Sequence, residues 1–216
     1  MPSAATPPTS ESGAPSLRVG VLALQGDFAE HLAMLRRQGV EAVEVRTLDQ
    51  LEACDGLIIP GGESTTIARL LAAFDLTEPL RDRIRAGLPT WGTCAGAILL
   101  ADDVPGLDRE PLGVMDMTVE RNAFGRQVQS FEANLDIDGL DAPLRAVFIR
   151  APVFTRLGRG VRALATLPDG RIVAAGQGHL LATSFHPELT EDDRLHGLFV
   201  ALCREYASVS SQARAS

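Results

Sequence analysis

Lysine is absent from this 216-residue sequence, and all 20 of its basic residues are arginine. Because proteins form imines with carbonyl substrates through lysine amines, this chain cannot form a Schiff base through a lysine of its own. A P-loop is excluded for a similar reason, since that loop grips phosphate with a lysine. Imine formation on this chain and P-loop nucleotide chemistry are therefore both excluded.

Long apolar runs and an excess of positive charge are missing as well. No apolar run approaches the length of about 18 residues that a membrane-spanning helix needs, and the N-terminus lacks the features of a secretory signal. The net charge of −8 disfavours nucleic acid as a partner. Cysteine is scarce, and Cys54, Cys94 and Cys203 lack the spacing of metal ligands. We therefore expect a cytoplasmic protein with free thiols, no bound metal and no cofactor.

The two ends of the chain are poor in bulky apolar residues. Residues 1–16 consist mostly of Pro, Ser, Thr and Ala, and residues 208–216 have a similar composition. Such segments bury too little surface to offset the entropy of ordering. The sequence therefore predicts a disordered extension over residues 1–16, one domain over residues 17–207 and a disordered tail over residues 208–216.

The first half of the domain alternates between apolar strands and amphipathic helices. Strands are predicted over residues 17–24, 40–45, 56–59 and 88–93, and helices over residues 27–38, 64–73 and 77–86, with Ser64 or Thr65 as the cap of the second helix. The second half reads as shorter strands over residues 112–121, 128–135, 146–150, 161–167, 171–175 and 180–185, with a closing helix over residues 192–206. This pattern predicts an α/β fold, a flavodoxin-like three-layer sandwich with a mostly parallel sheet and an antiparallel section.

The segment Gly92–Gly96 reads Gly-Thr-Cys-Ala-Gly, which has the form of a nucleophile elbow with cysteine in place of serine. Such a turn exposes the nucleophile, and the helix that follows supplies backbone N–H groups near the sulfur. The Ala95 N–H is then a natural oxyanion donor. The alternative is a buried cysteine between two glycines that allow close packing.

Two other segments end predicted strands of the same sheet, where ligands bind in such folds. In His186-Pro187-Glu188, an extended backbone would place the histidine and the glutamate on one side, as base and orienting carboxylate for Cys94. The alternative is a solvated loop. Gly61-Gly62 can turn backbone amides towards an anion, or it is simply a strand-to-helix turn. His31, His196, Cys54 and Cys203 are interpreted as surface or packing residues.

Taken together, these segments resemble the class I glutamine amidotransferases, the triad glutaminases. The likeness is closest to the glutaminase subunits of pyridoxal 5′-phosphate synthase and covers about residues 17–206. The segments that carry it are Gly20–Gly26, Leu57–Thr66, Gly92–Gly96, Val119–Gln127, Ser130–Ala133, Phe148–Pro152 and Ser184–Thr190. The resemblance implies the class I glutamine amidotransferase fold.

The resemblance also implies roles for particular residues. Cys94 would be the nucleophile, and His186 with Glu188 the relay pair. Ala95 and Gly62 would donate to the oxyanion. The residues implied in binding glutamine are Gly62, Glu63, Ser64, Arg121, Ile149 and Arg150. The arginines suit a charged amino acid, because a guanidinium can hold a carboxylate with two hydrogen bonds.

The implied partner is the synthase subunit of pyridoxal 5′-phosphate synthase, in a large hetero-oligomer. The synthase chemistry runs through imines on lysine, which this chain cannot form. Three alternatives stay open from the sequence. One is a glutaminase that serves another class I amidotransferase, for imidazole or purine synthesis. The others are a cysteine hydrolase or peptidase of similar fold, and a binding or regulatory module without catalytic activity.

Overall fold

A computed structural model describes residues 17–121 and 130–215, and of residues 209–215 it describes the backbone alone. The predictions for residues 1–16 and for the motif residues 122–129 lie outside this part of the chain. The helices are α1 (Phe28–Arg37), α2 (Leu48–Glu52), α3 (Ser64–Ala73), α4 (Thr77–Arg85), α5 (Ala95–Leu100) and α6 (Arg194–Ala215). A 3-10 turn spans Pro187–Leu189.

The strands alternate with these helices in the first half of the chain and follow one another in the second. They are β1 (Arg18–Leu22), β2 (Glu41–Val45), β3 (Gly56–Ile59), β4 (Thr90–Thr93), β5 (Ala101–Asp103), β6 (Met115–Glu120), β7 (Ser130–Leu135), β8 (Leu144–Ile149), β9 (Val153–Leu157), β10 (Arg162–Thr166), β11 (Ile172–Gln177) and β12 (Leu180–Thr183).

The main sheet has the strand order β2-β1-β3-β4-β12-β11-β9-β6-β5, and β10 pairs with β11. Five neighbouring strands of this sheet, β2, β1, β3, β4 and β12, are parallel, which matches the flavodoxin-like prediction. All residues of β3, β4 and β12 are buried, as continuous apolar runs between two helical layers require. Their carboxyl ends lie in register, with Ile59 beside Gly92 and Thr93 beside Thr183.

Apolar side chains pack on both faces of this sheet, which confirms the three-layer arrangement. On one face, α3, α4 and α5 bury residues such as Ile67, Ile84 and Leu99. On the other face, α1 and α6 bury residues such as Leu35 and Phe199, together with the side chains of the β7–β8 hairpin. This hairpin forms a separate two-stranded sheet.

The antiparallel section is confirmed, but the sequence missed three short elements of the fold. Strand β9 and the three-residue β5 were not predicted, nor was the five-residue α2. Each is too short or too mixed in burial to show a periodicity. The predicted end of the last helix at Tyr206 was wrong, because α6 continues to Ala215 through most of the predicted tail. No Gly or Pro follows Gly197 to end it.

Within the described residues, no helix is long and apolar enough to cross a membrane.

Candidate active site

Cys94 lies at the sharp turn between β4 and α5. Its backbone has φ 47° and ψ −101°, in a region that residues with a side chain rarely adopt. Such a conformation costs about 1–3 kcal/mol and persists only where neighbours hold it. One restraint is the hydrogen bond that the Cys94 N–H donates to the Thr183 carbonyl of the adjacent strand, at 2.8 Å. The strand-to-helix turn predicted from the sequence is therefore present, with Cys94 at its apex.

The two glycines that flank Cys94 make room for this turn. A Cβ added at Gly96 would lie 1.9 Å from the carbonyl oxygen of Ile59, and one added at Gly92 would lie 2.4 Å from the Gly96 backbone. Both distances are shorter than any real contact. The backbone of α5 can therefore approach β3 and β4 only because positions 92 and 96 have no side chain.

His186 follows β12 and lies against the Cys94 elbow. Its N–H donates to the Val147 carbonyl of β8 at 2.8 Å, and its Nδ1 lies 2.7 Å from Oε1 of Glu188. The predicted extended segment was wrong here, because Pro187 starts a 3-10 turn that carries Glu188 back beneath the imidazole. The hydrogen bond expected between the two side chains is nevertheless made.

Burial disfavours the charged imidazolium, but hydrogen bonds to the Cys94 sulfur and to Glu188 outweigh it and raise the pKa of His186 to about 10. The Glu188 side chain is fully buried, and burial raises the pKa of its carboxyl although the contact with His186 acts in the opposite direction. A cationic His186 between a sulfur and a carboxylate can hold a thiolate and later release a proton.

The loop after β3 packs between this pair and the loop after β1. A Cβ at Gly61 would lie 2.4 Å from the His186 ring, and one at Gly62, whose φ is 154°, would lie 2.5 Å from the Gln25 side chain. Gln25 Oε1 accepts from the Glu63 N–H at 2.8 Å. Because Gly61 and Gly62 have no side chains, the backbone of this loop can pass close to the His186 ring.

Glu63, not Ser64 or Thr65, caps α3. Its carboxylate accepts from the N–H groups of Thr65 and Thr66 at 3.0 and 2.7 Å. Burial alone would raise the Glu63 pKa, but these hydrogen bonds lower it. The Glu63 carboxylate is therefore committed to the start of the helix and is not free to bind a ligand in the cavity.

A cavity of about 440 Å³ opens in front of Cys94 and His186. It brings together nearly all of the predicted site residues, namely Gly62, Glu63, Ser64, Cys94, Ala95, Arg121, Ile149, Arg150 and His186. Glu188 lies behind the imidazole, outside the lining. A larger cavity of about 640 Å³, between α3, α4 and the segment near Leu112, contains none of them.

Three predicted binding residues form the far wall of the cavity. The Ile149 carbonyl oxygen lies 4.0 Å from the Cys94 sulfur, and Arg150 has a positive φ of 43°. The Arg121 guanidinium donates to the Gly106 carbonyl at 2.8 Å and to the Thr65 hydroxyl at 3.4 Å. These contacts hold the Arg121 side chain against the start of α3.

The cavity also contains Asp27 and Ile98, which the sequence did not single out, and Gln25, which belongs to the matched segment Gly20–Gly26. Asp27 Oδ2 lies 3.5 Å from Nδ1 of His186. The signal for Asp27 was its position directly after the first strand end, Gln25-Gly26. Asp27, His186 and Glu188 could in principle hold a cation, since their ligand atoms lie within 4.8 Å of one another. His186 Nδ1 is already bonded to Glu188, so we assign no metal site.

The other two cysteines lie in different surroundings. Burial raises the pKa of Cys54 to about 11 and that of Cys203 to about 12, and neither lines the cavity. A thiol with so high a pKa is a poor nucleophile. Their interpretation as inert packing residues agrees with this. His31 and His196 are both fully buried, so the surface interpretation of these two histidines was wrong.

Comparison with known proteins places this site in a family. The SNO glutamine amidotransferase family matches residues 21–205. A protein of Nocardia farcinica called pyridoxal 5′-phosphate synthase subunit PdxT is 58 % identical over 208 residues, covering 92 % of this chain and 91 % of that protein. A protein of the same name from a Roseiflexus species is 58 % identical over 189 residues, covering 86 % of this chain and all of that one.

Solved structures agree with these relatives. A crystal structure of a glutamine amidotransferase superimposes with a TM-score of 0.81 at 55 % identity, covering 86 % of this chain and 98 % of that one. A glutamine amidotransferase from Thermotoga maritima, with a TM-score of 0.58 at 18 % identity over 93 % and 96 % of the two chains, shares the fold. By the extent of the match and the identity, this chain belongs to the SNO glutamine amidotransferase family.

Proposed function

We propose that this chain hydrolyses the side-chain amide of L-glutamine with Cys94, His186 and Glu188 as its catalytic triad. The ammonia would pass to a synthase subunit that makes pyridoxal 5′-phosphate. The observation that carries the proposal is the cavity that Cys94 and His186 both line, with His186 hydrogen-bonded to Glu188 behind it. Family membership supports a glutaminase over a peptidase or a regulatory module.

The chemistry begins at the Cys94 sulfur. With the cationic His186 beside it, the Cys94 sulfur acts as a thiolate and adds to the amide carbon of glutamine. Collapse of the tetrahedral adduct breaks the carbon–nitrogen bond, while His186 gives its proton to the leaving nitrogen, so that ammonia and a glutamyl thioester form. Water then adds to the thioester with His186 as base, which gives glutamate and restores the thiolate.

Two backbone amides suit the oxyanion of each adduct. Ala95 is the first residue of α5, so its N–H has no partner inside the helix. Gly62 lies across the same cavity. Donors in such places are each worth roughly 3–4 kcal/mol of barrier.

The rest of the cavity suits the amino-acid end of glutamine. Arg121 and Arg150 supply positive charge for the α-carboxylate, and the backbone at Ser64 and Ile149 supplies polar groups around it. We expect Glu63 to contribute by holding the loop before α3 in place, because its carboxylate caps this helix and its N–H donates to Gln25.

The partner follows from the names of the relatives, which are called subunits of a pyridoxal 5′-phosphate synthase. A chain without lysine cannot provide the imine steps of that synthesis. We therefore place the chain in a hetero-oligomer whose other subunit receives the ammonia.

The direct test is glutamate release by Cys94→Ala in the presence of the synthase subunit. We expect turnover to fall by several orders of magnitude, as when other nucleophiles of triads are removed. Cys54→Ala is the matched control, because Cys54 is equally buried but lies outside the cavity, and it should keep its activity. Appreciable turnover in a folded Cys94→Ala chain would remove Cys94 from the mechanism.

A further inference from the structure

Behind the triad, on the side away from Cys94, lie two histidines that the proposed mechanism does not use. His31 is on α1 and His196 is on α6, and both have no solvent exposure. Burial lowers the pKa of His31 well below its ordinary value, and the neighbouring His196 lowers it further. Burial lowers the pKa of His196 to about 3. Both rings are therefore neutral, with one N–H each.

The two rings are hydrogen-bonded to each other, since His31 Nδ1 lies 2.9 Å from His196 Nε2. In a neutral pair only one of these nitrogens carries the shared proton. If His31 donated it, the proton of His196 would be on Nδ1, which is buried and has no partner among the described residues. A buried N–H without an acceptor is rare and costly. The favoured arrangement has His196 Nε2–H donating to His31 Nδ1.

The direction of this hydrogen bond determines the protonation of His31 Nε2. With its Nδ1 accepting, the His31 proton is on Nε2, which lies 3.1 Å from the Thr93 hydroxyl and 3.3 Å from Oε2 of Glu188. Glu188 Oε2 makes no hydrogen bond of normal geometry in the described part of the chain, so its 3.3 Å contact with His31 Nε2 is an electrostatic one. The opposite tautomer would set a bare nitrogen against a buried carboxylate oxygen, which is electrostatically unfavourable.

We propose that His31 is a positioning residue for the triad, with its Nε2–H directed to the Thr93 hydroxyl and facing the second oxygen of Glu188, while the first oxygen holds His186. The N–H groups then point in one direction, from His196 to His31 and from His31 towards Thr93 and Glu188. The carboxylate faces an N–H on both sides, so the imidazole that it orients keeps its Nε2 towards the catalytic sulfur.

This arrangement also favours the ionised carboxylate. Glu188 is faced by His186, by Asp27 from the loop before α1 and by His31. Burial and Asp27 disfavour its negative charge, while each N–H that faces it favours that charge. His31 supplies such an N–H without adding a second cation beside His186.

The protonation pattern can be read in the unmodified chain. With ¹⁵N-labelled histidine, long-range proton–nitrogen correlation spectra distinguish the two neutral tautomers. We expect His31 and His196 both to carry the proton on Nε2 at neutral pH, with assignments from His31→Gln and His196→Gln. A proton on Nδ1 of His31 would overturn the proposal. The tautomers are read in the spectrum of the unmodified chain, and the two variants serve only to assign its signals.

Variants test the consequence for turnover, measured with the synthase subunit present. His31→Leu keeps the bulk but loses the donor, and we expect kcat to fall about 10- to 100-fold, as for outer partners of active-site histidines, with KM little changed. His31→Gln places an amide N–H near the Nε2 position and should recover most of that loss. Equal kcat values for the Leu and Gln variants, or a loss confined to KM, would contradict a positioning role.

His179→Leu is the matched control, because His179 also makes one hydrogen bond, to the Ile84 carbonyl at 2.8 Å, but lies outside the cavity. Its kcat should be that of the parent. The inference rests on the proposed function, yet the two fail differently. Turnover that survives Cys94→Ala removes the triad itself, whereas a Cys94-dependent enzyme indifferent to His31→Leu removes only the role of His31.

Discussion

Cys94 holds a backbone conformation that few residues with a side chain adopt, and glycines 92 and 96 make that conformation possible. Among the described residues, three that are not glycine have a positive φ, and two of them, Cys94 and Arg150, face the same cavity. Strain of this kind is concentrated where the sulfur must be presented to a substrate.

Gly96→Ala should therefore destabilise the fold. The added methyl would meet the Ile59 carbonyl at 1.9 Å, so β3 and α5 would have to separate, at a cost of about 1–3 kcal/mol or more. Gly197→Ala is the control, since it is also helical and its methyl would meet only the end of the Gln38 side chain, at 3.0 Å. It should change stability by no more than about 1 kcal/mol. Urea unfolding measures both, and equal values would refute the packing argument.

His186 makes stability depend on pH in a definite direction. Its folded pKa of about 10 lies above the ordinary value of 6.5. The folded chain therefore binds this proton more tightly than the unfolded chain, and the stabilisation is complete below about pH 6.5 and is lost as pH rises through about 10.

We expect the difference in unfolding free energy between the parent chain and His186→Gln to shrink steadily between these two pH values. The slope can reach about 1.4 kcal/mol per pH unit. Urea unfolding at a series of pH values measures it. A difference that stays constant over this range would show that His186 is not charged in the folded chain.

At the scale of elements, the N-terminal start of α3 contains both the cap of the helix and part of the cavity wall. The carboxylate of Glu63 caps the helix, while the neighbouring Gly62 and Ser64 line the cavity. Under the proposed function, we expect a change at Glu63 to affect both helix stability and substrate affinity.

Glu63→Ala should lower the unfolding free energy by about 1 kcal/mol and also raise KM for glutamine, because the loop before α3 loses its anchor. Thr47→Ala removes the capping interaction of α2, which lies outside the cavity. It should cost a similar amount of stability and leave KM unchanged. If both variants leave KM unchanged, the cap of α3 has no part in binding.

The same element shows how far a local pattern can predict. The start of α3 was placed correctly, but its capping residue was not, because Glu63, Ser64 and Thr65 can each accept hydrogen bonds at a helix start. Strand β9 was missed because only its first two residues are buried and its pairing with β6 joins distant parts of the chain. Its burial pattern therefore carries little signal for a strand.

At the scale of the whole molecule, the site lies where the carboxyl ends of β1, β3, β4 and β12 come close to the β7–β8 hairpin. His186 is held from β8 through the Val147 carbonyl, and Ile149 at the end of the same strand lies 4.0 Å from Cys94. A partner that shifts this hairpin would alter both the base and the substrate wall.

The isolated chain should therefore be a poor glutaminase, and adding the synthase subunit should raise kcat by about tenfold or more, equivalent to roughly 1.4 kcal/mol of barrier. Glutamate release with and without the partner measures this effect, with Cys94→Ala plus partner as the blank. Full activity of the chain alone would refute the dependence on docking.

The sequence by itself determined the chemistry that each position could offer. A cysteine between two close-packing glycines, a His-Pro-Glu segment after a buried strand and a double glycine after another are local patterns, and parallel strands bring their ends to one edge. Only the tertiary structure decided that His31 on α1, His196 on α6 and Glu188 after β12 lie next to one another. Helical periodicity places His31 and His196 on buried faces but contains no information about the 2.9 Å contact between two helices 165 residues apart. Such a contact depends on how the layers pack, and therefore on every element between them.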